Sequence, residues 1–327
     1  MSHNGNMNDI WKKILTAVVS IIVLSFLVFT VSRLTPVDPL QAYYGERVEK
    51  MSAEDKEAAR EKLGLNDPIP TQYVRWVQNA LHGDFGISYK YKRPVTQMVK
   101  ERIGNTLLLG GIGFVLTFAG ALALGLLCAR KENSRFDRFM CKAGTFSSCI
   151  PEFWMALIFI LVFCVIWKLL PSSGAYTIGK EGNILDRIQH LILPMLVIVL
   201  QHLWYYAYLI RNRLLEETRE DYVMLCKAKG LSDRQILRRH CLKNVLPTYL
   251  NLMAVSVPHI LGGTYIVEMV FSYPGLGSLS YESARLGDYN LLMVLCLLTG
   301  VVVILCNIIA QIINERIDPR LKARERF

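Results

Sequence analysis

"LLMVLCLLTGVVVILCNIIAQII", residues 291–313, runs for 23 residues without one charged side chain. At 1.5 Å per helical residue it is about 34 Å long, enough to cross a hydrocarbon core of about 30 Å. A water-soluble helix of that length carries a charged face, and this one has none, so its surroundings are lipid. Five further apolar runs, roughly 14–33, 105–129, 146–170, 191–210 and 248–271, have the same character. The chain is 52% hydrophobic with a mean hydropathy of +0.30, and its apolar residues come in blocks about 20 long. The expected fold is an all-α polytopic membrane protein with six transmembrane helices.

The first run is read as a retained span. Its apolar stretch, Ile14 to Val31, exceeds the 7–15 residues usual in a signal peptide, and no small-x-small cleavage site follows. The chain then divides into residues 1–34 (N-terminus and first span), an external segment 35–103, a core 104–313 holding spans two to six, and a tail 314–327.

Charge sets the orientation. The formal net charge is +10, and 21 of the 37 Lys and Arg lie in four places: Lys12–Lys13, 129–142, 211–247 and 315–327. If six spans alternate, these four fall on one side, whereas the loops 171–190 and 272–290 hold only Lys180, Arg187 and Arg285. The positive-inside rule makes both termini cytoplasmic, in a multi-pass protein of the cell membrane. The basic excess is thus a topology signal, and no nucleic-acid partner is expected. All eight cysteines lie in spans or cytoplasmic segments and none forms Cys-x-x-Cys, so neither a disulfide framework nor a zinc site is expected.

In the external segment, Ser52 and Asp55 stand at capping-box spacing ahead of a charged helix ending at Gly64. A second helix follows, with Thr71 as N-cap and Tyr73, Trp76, Val77 and Leu81 on one apolar face. Two readings stand: a small cap packed on the membrane helices, or a docking surface for an external partner.

"YVMLCKAKGLSDRQILRRHCLKNVLP", residues 222–247, is the segment between spans four and five, within 211–247. Asp221–Lys229 is helix-forming and stops at Gly230; Ser232 caps a restart and Gln235 completes a capping box. Leu231, Ile236, Leu237 and Leu242 can pack while Arg234, Arg238, Arg239 and Lys243 face outward, and Pro247 opens the fifth span. This predicts two short helices at an angle. A basic helix lying on anionic lipid would explain the charge alone. The central break favours a rigid protrusion that inserts into a groove on another protein.

This segment resembles the cytoplasmic coupling-helix segment of ABC-importer permeases of the peptide/nickel branch, first-permease type. "LTPVDP" (34–39), "KLGLNDPIPTQYVRW" (62–76), "GDFGISY" (83–89), "NTLLLG" (105–110), "PEFW" (151–154), "LPSSG" (170–174), "VEMVFSYPGLG" (267–277) and "DPRL" (318–321) resemble that branch in order. The wider family carries Glu-Ala-Ala ahead of the glycine, where this chain has Met224, Leu225 and Cys226. The coupling role is therefore carried over to Ala228, Lys229, Gly230, Leu231, Ser232, Arg234, Gln235 and Arg239 only. The resemblance implies a permease working with a second homologous permease, two cytoplasmic ATPases that bind ATP and Mg, and an extracytoplasmic substrate-binding protein. The chain itself has no G-x-x-x-x-G-K-[ST] phosphate loop, so it is expected to be non-catalytic and without a cofactor of its own. "GGIGF" (110–114) lacks the lysine and is read as helix packing.

Ionisable groups within spans are costly and mark candidate sites. Glu268 lies 18 residues beyond Leu250, about 27 Å along the helix, and is placed near the outer edge as an interfacial or gate-lining group. His202 and His259 fall about 13–17 Å deep, close to Pro194, Pro258 and Gly262–Gly263, which can open room for a path. They either bond neighbouring helices or line the route. "HILGGTYIVE" (259–268) and "VILCN" (303–307) look more like the nickel members, which tips the expected substrate to nickel as a chelate, with di- or oligopeptide as the alternative. No H-x-x-x-H cluster supports a metal site in the chain itself. A self-sufficient secondary transporter is the more remote reading, because no internal repeat is evident.

Overall fold

The computed structural model describes residues 3–34, 39–62, 64–147 and 149–317. Most of the "LTPVDP" motif and the tail from residue 318, with its "DPRL", lie outside the described residues.

Among the described residues thirteen α-helices follow in order. They are α1 (His3–Leu34), α2 (Pro39–Tyr44), α3 (Ala53–Lys62), α4 (Ile69–Leu81), α5 (Val95–Arg130), α6 (Arg135–Ser147), α7 (Glu152–Phe159), α8 (Ile184–Glu217), α9 (Asp221–Ala228), α10 (Asp233–Ile236), α11 (Leu242–Val270), α12 (Leu276–Arg285) and α13 (Tyr289–Ile317). Among the described residues there is no strand, only an isolated bridge between Ile87 and Pro94. Of the described helices, five are long and apolar enough to cross a membrane, and six spans result if the bent pair α6–α7 counts as one.

That pair corrects the reading of 146–170 as a single run. α6 and α7, the latter extended by a π turn to Ile166, meet at 103°. The cause is Pro151, which sits extended at φ −62° and ψ 141° and has no amide hydrogen to continue the α6 ladder. The other spans outrun their apolar cores, because helix propensity continues past the lipid boundary: α5 and α8 are 36 and 34 residues long.

The chain forms two compact units, residues 1–104 with 275–305, and residues 105–274 with 306–327. In the first, Phe29 of α1, Leu279 of α12, and Leu291 and Leu295 of α13 are buried, and Tyr73 and Trp76 of α4 pack on them. The Tyr73 hydroxyl lies 2.6 Å from the Ser25 hydroxyl, which anchors α4 to α1. Two expectations for α4 are corrected. The helix begins at Ile69 behind Pro68 rather than at a Thr71 cap, since Pro70 falls in the first turn, where its missing donor costs nothing. Leu81, the last residue of α4, is 80% exposed and lies off the packed face. The Ser52–Asp55 cap is present, with the Asp55 amide donating to Ser52 Oγ at 3.1 Å. In the same unit, buried Asp288 accepts from the Ser88 hydroxyl and from the amides of Tyr89 and Lys90 at 3.1 and 3.2 Å. It pins the loop that carries "GDFGISY".

In the second unit α5, α8 and α11 share a core. Phe118 stacks on Tyr206 at 4.7 Å, and the Tyr249 hydroxyl donates to the Phe118 carbonyl at 3.1 Å. The glycines of "GGIGF" sit where helices meet: a Cβ on Gly110 would stand 3.3 Å from Thr264, and one on Gly113 3.1 Å from Ile198. Small residues at such crossings let helices approach where lipid provides no hydrophobic drive. α6 is tied to α8 by a buried ion pair in which Arg211 Nε and Nη2 donate to Asp137 at 2.5 and 2.6 Å. Asp137 is 1% exposed and Arg211 13%.

Candidate functional site

The segment after α8 is held by one carboxylate. Glu217, the last residue of α8, accepts from the Tyr222 hydroxyl at 2.8 Å and from the Asn244 amide at 3.2 Å. It thereby clamps α9 and the start of α11 to the end of α8. Burial, together with the neighbouring Cys241 and Glu217, pushes the Tyr222 phenol up, so it keeps its proton and donates. Neither Glu217 nor Tyr222 stands out in the sequence, because their pairing spans a turn that periodicity does not register.

α9 ends in a Schellman motif. The Leu231 amide bonds Cys226 O at 3.2 Å and the Gly230 amide bonds Lys227 O at 2.9 Å. Gly230 occupies the left-handed region at φ +78°, a position that costs a side-chain-bearing residue about 1–2 kcal/mol. Ser232 then caps α10: its hydroxyl accepts from the Gln235 amide at 3.4 Å, and the Gln235 side chain accepts from the Ser232 amide at 3.0 Å. Such a cap contributes about 1 kcal/mol.

Beyond the cap the expectation of a second short helix is corrected. α10 passes through a π turn at Leu237–Cys241 and continues into α11, so Asp233–Val270 is one span-length helix of 38 residues. Pro247 lies inside it, five residues past Leu242, not at its start. Ala228, Lys229, Gly230, Ser232, Arg234, Gln235 and Arg239 are exposed and Leu231 is half-buried, while Ile236 and Leu237 face the core. Beside them α9 leaves two apolar side chains uncovered, with Met224 74% and Leu225 57% exposed.

A second grouping lies within the span helices. His202 of α8 and His259 of α11, which the sequence singles out separately, both lie on span helices of the second unit. His202 Nε2 lies 3.4 Å from Oε1 of Glu152, the first residue of α7. The sequence reading passes over Glu152 because it follows Pro151 in "PEFW" and looks like a helix start. Its position within an apolar run was the available signal. Gly263 of α11 makes the room: a Cβ there would stand 2.7 Å from the same carboxylate oxygen.

Glu268, two residues before the end of α11, does not reach out to the interface. It is fully buried, and Thr106 of α5 donates to its Oε1 at 2.6 Å. Helix packing overrides the tendency of a long side chain to reach for the interface. The adjoining Asn105 donates to the Pro274 carbonyl at 2.8 Å and accepts from Arg187 at 3.1 Å, so the two polar residues of "NTLLLG" tie α5 to α8, to α11 and to the loop after it. Between α8 and α11, toward the coupling segment, is a cavity of about 440 Å³ where Asn212, Thr248 and Asn251 interrupt apolar Ile210, Tyr249 and Leu252. Among the described residues no group of three or more His, Cys, Asp or Glu side chains could hold a metal ion.

This architecture matches known proteins along nearly the whole chain. Residues 121–323 match the family described as binding-protein-dependent transport system inner membrane component, and residues 7–110 match that system's N-terminal membrane component. The chain belongs to that permease family. An oligopeptide transport system permease protein, AppB of Bacillus subtilis, is 33% identical over 95% of this chain and 98% of its own length. The metal-staphylopine import system permease protein CntB of Staphylococcus aureus is 30% identical over 96% and 97%. In fold, the permease is similar to a chain of the inward-facing MetNI methionine ABC transporter, with a TM-score of 0.55 and 17% identity over 68% of this chain and 97% of that one. The permease is therefore a non-catalytic, multi-pass membrane subunit of an ABC importer.

Proposed function

We propose that this permease forms half of the membrane pathway of an ATP-driven importer of short peptides. The observation that carries the reading is the full-length similarity to an oligopeptide permease. Two putative-peptide permeases of Brucella, each 32% identical over 92% of the chain, add to it. Nickel, the substrate favoured by "HILGGTYIVE" and "VILCN", gives way to peptide, because those short matches are outweighed by similarity over the whole length. Import of a metal chelate is the second reading, favoured by the metal-staphylopine relative.

On this reading a second homologous permease supplies the other half of the pathway, and an extracytoplasmic binding protein delivers the substrate. Two ABC ATPases bind ATP and Mg and dock from the cytoplasm, where the positive-inside rule puts both termini. The coupling contact is the exposed turn from Ala228 to Gln235 with Arg239. The uncovered Met224 and Leu225 beside it offer an apolar patch that a partner's groove would bury.

Calorimetry on the cognate binding protein separates the substrates. It is expected to bind tri- and tetrapeptides and to give no heat with Ni²⁺ alone. Tight Ni²⁺ or Ni²⁺–chelate binding with no peptide heat would reverse the assignment.

A further inference from the structure

Around the start of α7, three side-chain polar atoms are buried with no hydrogen-bond partner: Glu152 Oε2, Gln201 Oε1 and His202 Nε2. They belong together. Gln201 and His202 are consecutive on α8, the Gln201 amide donates to the Ile150 carbonyl at 3.1 Å, and His202 Nε2 lies 3.4 Å from Glu152 Oε1. Buried polar atoms are almost always satisfied, and three open ones in a single place call for a ligand that brings donors. Carboxylate and amide oxygens accept only, and the neutral imidazole in its Nδ1–H form accepts at Nε2. Three acceptors in one place match the three N–H donors of a primary ammonium, and the approach of that cation would itself favour the charged carboxylate.

We propose that Glu152, Gln201 and His202 form an intramembrane station for the free N-terminal ammonium of the transported peptide, a proposal that rests on the peptide reading above. The three atoms are closed over in this conformation, so a ligand reaches them as α7 parts from α11. Gly263 lets the Glu152 carboxylate lie directly against the α11 backbone, since a Cβ there would stand 2.7 and 3.1 Å from its two oxygens.

The test compares uptake of trialanine and N-acetyl-trialanine by proteoliposomes holding the whole complex with its binding protein. Wild type is compared with Glu152→Gln and Glu152→Asp, normalised to assembled complex. The binding protein is the same in every arm, so a change in the ratio of the two rates arises in the membrane. Glu152→Gln keeps the size and removes the charge. It is expected to lower the preference for the free amine by about tenfold, the usual loss with one charged hydrogen bond, while Glu152→Asp retains most of it. If wild type carries trialanine alone, the same tenfold loss is read in that rate, against little loss for Glu152→Asp. If a structural water fills the cluster, Glu152→Gln slows both peptides by one factor and leaves the ratio unchanged, which overturns the station. A wild-type complex that moves neither peptide overturns the substrate reading, and the station with it.

Discussion

Replacing Gly230 by proline is expected to abolish substrate-stimulated ATP hydrolysis by the assembled importer while the chain still inserts in the membrane. The turn has two requirements that proline cannot meet: a backbone at φ +78° and an amide that donates to Lys227 O at 2.9 Å. Proline fixes φ near −65° and has no amide hydrogen. The Schellman motif then fails, α9 loses its angle to α10, and Met224, Leu225 and the Ser232 cap no longer present one surface. Gly230→Ala meets the amide requirement and carries only the left-handed cost of about 1–2 kcal/mol, so it should couple with reduced efficiency. The readout is ATPase stimulation by loaded binding protein, at equal amounts of assembled complex. Normal stimulation in the proline variant would remove this turn from the coupling contact.

Asp137→Ala is expected to produce the largest loss of stability. It leaves the Arg211 guanidinium, 13% exposed, with Asn212 as its remaining hydrogen-bond acceptor at 2.9 Å. Breaking a buried pair from one side costs about 3–5 kcal/mol, because the surviving charge stays desolvated. α6 would detach from the end of α8, close to the clamp at Glu217. The melting temperature of detergent-solubilised chain should fall steeply, and the double variant Asp137→Ala, Arg211→Met should recover most of the loss. A single variant that melts like the wild type would show that the pair carries little of the α6–α8 contact.

Local chemistry was legible in the sequence wherever it is encoded over a few residues. The chargeless run 291–313, the Gly230 stop and the Ser232–Gln235 capping box depend only on neighbours within one or two turns, and all three stand as read. What was not legible depends on tertiary packing. Pro151 was visible, but a proline can kink a span or end it, and only the packing of α6 on α8 decides for a 103° bend. Glu268 looked interfacial by distance along its helix, yet Thr106, 162 residues away in sequence, meets it inside the bundle. The approach of His202 to Glu152 follows from how α7 and α8 cross, and no spacing along one chain encodes that. The continuity of α10 with α11 escaped for the opposite reason. Pro247 is tolerated inside a helix whose neighbours hold it, so a breaker by composition is no breaker in place.

The measurement that bears most directly on the account is uptake of a labelled tripeptide into proteoliposomes, with the permease reconstituted alone or with its second permease, ATPases and binding protein. The account predicts accumulation only in the full assembly, dependent on ATP and Mg, and none from this chain by itself. Peptide or metal uptake driven by an ion gradient in liposomes holding this chain alone would contradict it.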